Sequence, residues 1–168
     1  MKTPRTSPFT VRPSRRLISA AALVSLAGAL AGCGLTVPSD PDGTLDTVTG
    51  GELRIGASPD PGLVDVTGPD PSGPLPDLAT EFGDMLDAEA VWTVGSEEAL
   101  VGMLEAGELD LVIGGITDQT PWIENAGTTR GYSGIPGADG RSLVLLVPPG
   151  ENAFLSELER FLDEEVGS

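Results

Sequence analysis

Histidine is missing from all 168 residues, and cysteine occurs once, at Cys33. The first absence excludes a Ser-His-Asp triad, a Cys-His pair and the ordinary zinc sites, all of which need an imidazole. The second excludes an intramolecular disulfide, so any export of this chain does not rest on a disulfide scaffold. Lysine is absent after Lys2, and the basic side chains beyond residue 32 are Arg54, Arg130, Arg141 and Arg160, set against all 26 acidic residues. That portion carries a formal charge of −22. Such a surface repels nucleic acid and anionic headgroups, and nucleic acid is excluded as a partner. Solubility outside a cell is a sufficient reason for the charge. Aromatic residues make up 4 % of the chain, and its long apolar run, Leu17 to Leu30, is too short and too small in its side chains to span a bilayer as a mature helix.

That run is preceded by Lys2, Arg5, Arg12, Arg15 and Arg16 with no acid, and is closed by Leu30-Ala31-Gly32-Cys33. The segment resembles a bacterial lipoprotein signal. The resemblance implies a signal peptide over residues 1–32, lipidation of the Cys33 sulfur, and a chain anchored at the extracytoplasmic face of the cell membrane. Two or more acyl chains on one residue hold a protein at a membrane where a single chain binds only marginally. Ser14-Arg15-Arg16 reads either as a twin-arginine export signal or as a plain basic n-region. Residues 33–50, rich in Pro, Asp, Thr and Gly, read as a flexible tether with a reach of roughly 20–25 Å.

The remainder, residues 51–166, is long enough for one modest core. It alternates strand and helix, the pattern of an α/β layer structure. Leu53–Ala57 predicts a strand, and Leu75–Leu86, apolar at Leu75, Leu78, Phe82 and Leu86, predicts a helix. Ala90–Val94 predicts a second strand. Ser96 predicts the cap of a helix whose positively polarised first turn holds Glu97 and Glu98, and Gly107 its left-handed end. Leu109–Ile113 and Ser142–Val147 predict strands covered on both faces, and Glu151–Glu165 a last amphipathic helix with Phe154, Leu155, Leu158, Phe161 and Leu162 inward. The expected architecture is a single three-layer α/β lobe with a mostly parallel sheet of four or five strands.

Gly51-Glu52-Leu53-Arg54-Ile55-Gly56, Leu78-Ala79, Ala99-Leu100, the stretch Leu104 to Leu111 and Gly114-Gly115-Ile116-Thr117 together resemble the first lobe of family 3 extracytoplasmic solute-binding proteins. These are the receptors that deliver amino acids and related polar solutes to ABC importers. Thr129-Arg130-Gly131-Tyr132 stands where the family usually has a phenylalanine-serine-x-proline-tyrosine stretch. The resemblance implies a periplasmic-binding-protein-like, type II lobe, a small polar, amino-acid-like solute, an ABC permease as partner, and no cofactor. A complete member needs a second lobe, for which only Ser133 to Arg141 is left, so the expectation is one lobe presenting an open shelf.

By matching position the resemblance implies Ser58, Gly115, Thr117 and Trp122 as ligand groups: two hydroxyls, a backbone open to close approach and a stacking face. Gly115 and Thr117 also read as turn chemistry after a buried strand, and Trp122 as a ring packed over the end of the fold. Trp122 occupies the position of the family's carboxylate-clamping arginine, and Ser58 to Thr67 holds none of the aromatic side chains usual there. Asp118 offers a charge for a cation, while Asp110 reads as a local hydrogen-bonding residue. The spacing of Asp60, Asp65 and Asp70 matches no calcium loop, and no metal site is expected. Catalysis is not expected either, because general acid–base work needs a carboxylate perturbed by burial and an open shelf supplies little. A different reading is an envelope accessory module that uses the exposed face to bind a partner protein or a second copy. Its mark would be an apolar patch beside Gly115, Trp122 and Tyr132.

Overall fold

The computed structural model describes residues 39–167. Cys33, the signal over residues 1–32 and the first part of the tether lie outside the described residues. In chain order the elements are α1 (Thr44–Val48), β1 (Glu52–Ala57), α2 (Pro74–Met85), β2 (Glu89–Val94), α3 (Glu97–Glu105), β3 (Leu111–Ile113), a 3-10 turn (Pro121–Glu124), β4 (Gly127–Thr128), β5 (Leu146–Val147) and α4 (Asn152–Glu165). The expected strands and helices fall within a few residues of their observed bounds, apart from Ser142–Val147, of which only Leu146–Val147 is regular strand. The local chemistry that predicts α3 is present: the Ser96 hydroxyl accepts a hydrogen bond from the Ala99 amide, and Gly107 has φ 71°.

One five-stranded sheet runs in the order β2-β1-β3-β5-β4. Strand β1 pairs in parallel with both β2 and β3, as two β-α-β crossovers through α2 and α3 require. Strand β5 pairs antiparallel with β3 and with β4. The sheet is therefore parallel at β1 and antiparallel on the β5 side. The reason is the connection: β4 runs in the sense of β3, and the chain from β4 to β5 holds irregular loops with no crossover helix, so it returns in the opposite sense.

Side chains of β3 separate the layers by the two-residue period of a strand. Leu111 and Ile113 join Leu53, Ile55, Leu145 and Val147 in a core covered by α1, α2 and α4. Val112 points the other way and packs with Leu146, Val144 and the α3 residues Leu100, Val101 and Leu104. The main core is pinned by Phe82 of α2, whose ring stands 5.6 Å from Phe154 and 5.5 Å from Phe161, both on α4.

The tether expectation requires correction for residues 39–50. Val48 is fully buried, Thr44 nearly so, and the segment docks on the start of α4. The Glu151 carboxylate accepts hydrogen bonds from the amides of Asp42 (3.0 Å) and Thr44 (2.9 Å). Asp40 reciprocates, accepting from Leu45 at 2.8 Å and from Phe154 of α4 at 3.3 Å. A five-residue helix has little stability of its own, and α1 forms because distant Glu151 and nearby Asp40 satisfy its first-turn amides.

Candidate binding site

In open α/β sheets a ligand meets the carboxyl ends of the parallel strands. Here those ends are Ala57-Ser58 after β1 and Ile113-Gly114-Gly115 after β3. Ser58 is buried, and its amide donates to the Ile113 carbonyl at 2.9 Å, tying the two strand ends together. Because β5 runs antiparallel, its entry, Arg141-Ser142, arrives at this same end of the sheet.

The central feature of the shelf is an ion pair. The Arg141 guanidinium donates two hydrogen bonds, each 3.0 Å, to the two oxygens of Asp60. The pair lies directly across Gly115: a Cβ there would stand 2.0 Å from Asp60 Oδ2 and 3.1 Å from Arg141 Nη1. Position 115 therefore admits only glycine while the pair is closed. Both partners are held by their own loops. The Asp60 carbonyl accepts from Leu63 (3.0 Å) and Val64 (2.8 Å), and the Ala138 carbonyl accepts from both the amide (2.9 Å) and the Nε (3.2 Å) of Arg141.

The short junction ahead of Arg141 is a built element. Ile135 and Ala138 are buried in the main core with Leu63, and Gly137, at φ 82°, brings its backbone so close to Gly62 that a Cβ would meet the Gly62 carbonyl oxygen at 2.5 Å. The hydrogen bond to Asp60 raises the Arg141 pKa above its ordinary value, so the guanidinium stays charged. A hollow of about 270 Å³ opens on the Asp60 side, lined by Pro59, Asp60, Val64 and Thr67 among others and not by Arg141. A larger one, about 440 Å³, lies at the opposite ends of the strands, around Arg54 and Asp110.

The remaining sequence-predicted residues have distinct surroundings. Thr117 is half-buried, pairs with Leu143 in an isolated bridge, and accepts the Thr120 amide on its carbonyl at 3.0 Å, which is turn chemistry after a strand. Asp118 is exposed and its amide donates to the Ser142 carbonyl. Trp122 sits on the 3-10 turn, packs against the core beneath α3, and donates its indole N–H to Glu97 at 3.3 Å. These partners belong to the packed-ring reading of Trp122. Gly115 thus meets the ion pair directly, Ser58 ties the two strand ends together, Thr117 follows two residues on from Gly115, and Trp122 is bonded to Glu97 of α3.

The sequence reading missed Asp60 and Arg141 as a unit. The other arginines are also paired: Arg54 with buried Asp110, Arg130 with Asp163, and Arg160 with Glu157 and Glu164. Arg141 is the one that stands at the strand ends. Beside the shelf, Tyr132 is fully buried, its ring under Arg130 at 5.9 Å and its hydroxyl pushed up to about 12 by burial. The exposed apolar side chains Val94 and Ile123 belong to separate elements. Among the described residues no cluster of His, Cys, Asp and Glu is arranged to hold a metal ion.

Two solved structures share this architecture. Domain 1 of TmArgBP, in its arginine-bound form, matches with a TM-score of 0.60 and 23 % identity, over 71 % of this chain and 97 % of that one. A point mutant of the same arginine-bound domain matches with a TM-score of 0.62 and 22 % identity, over 73 % and 97 %. The fold is that of a solute-binding-protein lobe. At this identity the likeness concerns the fold alone, and it runs over nearly the whole of a lobe solved by itself. No protein-family model matches the chain, and no curated protein matches it.

Proposed function

We propose that this chain is a lipid-anchored, extracytoplasmic solute-binding lobe that takes a small polar, amino-acid-like solute and catalyses no reaction on it. The observation that carries the reading is the fold match to domain 1 of TmArgBP, a lone lobe described in an arginine-bound form. Supporting it, Ser58, Gly115 and the Asp60–Arg141 pair gather a hydroxyl, a glycine backbone against the pair and both signs of charge at the carboxyl ends of β1 and β3. Delivery to an ABC permease and attachment through Cys33 complete the proposal. The reading of the exposed face as a docking surface for another protein draws less support, since Tyr132 is buried and Gly115 lies under charged groups.

Calorimetric titration with the common L-amino acids, polyamines and amino-acid derivatives tests it. A single open lobe supplies fewer contacts and less desolvation than a closing cleft, so the expected affinity is weak, on the order of 10 μM to 1 mM. No heat and no shift in melting temperature with any of them at millimolar concentration would remove solute binding from the proposal.

A further inference from the structure

We infer that the Asp60–Arg141 pair is itself the specificity device of the shelf: a clamp closed on its own two charges that opens to take a zwitterion, the solute carboxylate on Arg141 and the solute ammonium on Asp60. The inference rests on the solute-binding reading above and names the class of solute.

The argument starts from charge. Closed, the two groups neutralise each other across Gly115. A zwitterion replaces each partner with a like-signed group, so every charge remains paired. A plain amine leaves Arg141 without a counter-ion, and a plain carboxylate leaves Asp60 unpaired in a domain whose formal charge is already −22. Opening is cheap, because the pair is partly exposed, its side chains 34 % and 22 % accessible, and such pairs are worth less than about tenfold in an equilibrium constant. Geometry suits the exchange as well. The guanidinium presents a planar fork that bonds a carboxylate bidentately, as it now does with Asp60. Gly115 lacks the side chain that would collide with a carboxylate held against the guanidinium there. The two loops are braced through Leu63, Ile135 and Ala138, which hold the backbones in place while the side chains part.

The test compares solutes that differ by one charged group. The purified protein is titrated with L-leucine, isoamylamine and 4-methylvaleric acid, and with L-alanine, ethylamine and propionate, as wild type and as Asp60→Asn, Arg141→Gln and Arg141→Lys. The expected result is at least a tenfold preference of the wild type for an amino acid over both of its single-charge analogues. Arg141→Gln then erases the preference over the amine, Asp60→Asn erases the preference over the acid, and Arg141→Lys recovers part of it. Melting temperatures within a few degrees of wild type are expected for a partly exposed pair and show that the variants fold. If the amino acid binds with the same affinity to all variants, the clamp is overturned while solute binding stands. If both neutral variants bind it more tightly, the pair is an obstacle and the clamp is again overturned. If neither wild type nor variants bind any of the six, the solute-binding reading falls too.

Discussion

Asp110 illustrates how one side chain joins two strands. Its carboxylate accepts the Arg54 amide and Nε, both at 2.9 Å, and its own amide donates to the Arg54 carbonyl, so the entry to β3 is stitched to β1. The residue is buried, and the bond it makes raises the Arg54 pKa above its ordinary value. Asp110→Ala strands a backbone donor and a guanidinium together, and the expected loss is about 2–3 kcal/mol, with Asp110→Asn costing roughly half as much. Urea unfolding reads this directly; a loss below about 0.5 kcal/mol for the alanine variant would mean that water replaces the carboxylate without penalty. Gly115 works the opposite way, through the absence of atoms. It was legible as a residue of interest after a buried strand, but what it makes room for was not.

At the scale of elements, legibility followed the range of the interactions. Helices α2, α3 and α4 carry their own apolar stripes, α3 with its Ser96 cap and Gly107 stop as well, and were read from the chain. Helix α1 was not, because Glu151 and Asp40 make it from a distance of more than a hundred residues for the former. The direction of β5 was hidden for the same kind of reason: a buried apolar run looks alike in either sense, and only the missing crossover helix decides. That one unread direction also concealed the candidate site, since a parallel β5 would carry Arg141 to the far end of the sheet from Asp60. The α1–α4 latch has an acid dependence that can be worked out. Burial alone would raise the Glu151 pKa, but the amides of Asp42 and Thr44 outweigh it and hold the group below its ordinary 4.5. Its stabilisation is therefore complete above pH 4.5 and is lost as pH falls through the depressed value. Neighbouring Asp40 is raised above 3.8, by burial first and then by Glu151, so its contribution is adverse above its folded pKa and is relieved by acid. Glu151→Gln should thus cost about 1–2 kcal/mol at neutral pH, with the gap to wild type shrinking once the pH drops below 4.5. Urea midpoints between neutrality and strong acid measure it, and a gap constant with pH would show that the ionised carboxylate is not what holds the latch.

For the whole molecule, charge and anchoring constrain each other. Beyond residue 32 the chain carries a formal charge of −22, and each of its four arginines is engaged with acids of its own fold. Among the described residues no basic face is left to meet anionic headgroups, so under the proposed function residence at a membrane would fall to acyl chains on Cys33. The latch also shortens the leash. With Ser39 already hydrogen-bonded to Asn152 at the start of α4, only six steps of chain separate it from Cys33, a span of about 20 Å even when fully extended. Under the proposed anchoring, the lobe would be held within that distance of the bilayer surface. Cys33→Ser should move the protein from the membrane pellet to the soluble fraction at low ionic strength, where any electrostatic attachment would be strongest. High salt should leave the unaltered protein in the pellet, and detergent should release it. Retention of Cys33→Ser in the pellet would refute anchoring through that sulfur and transfer the attachment to some other part of the chain.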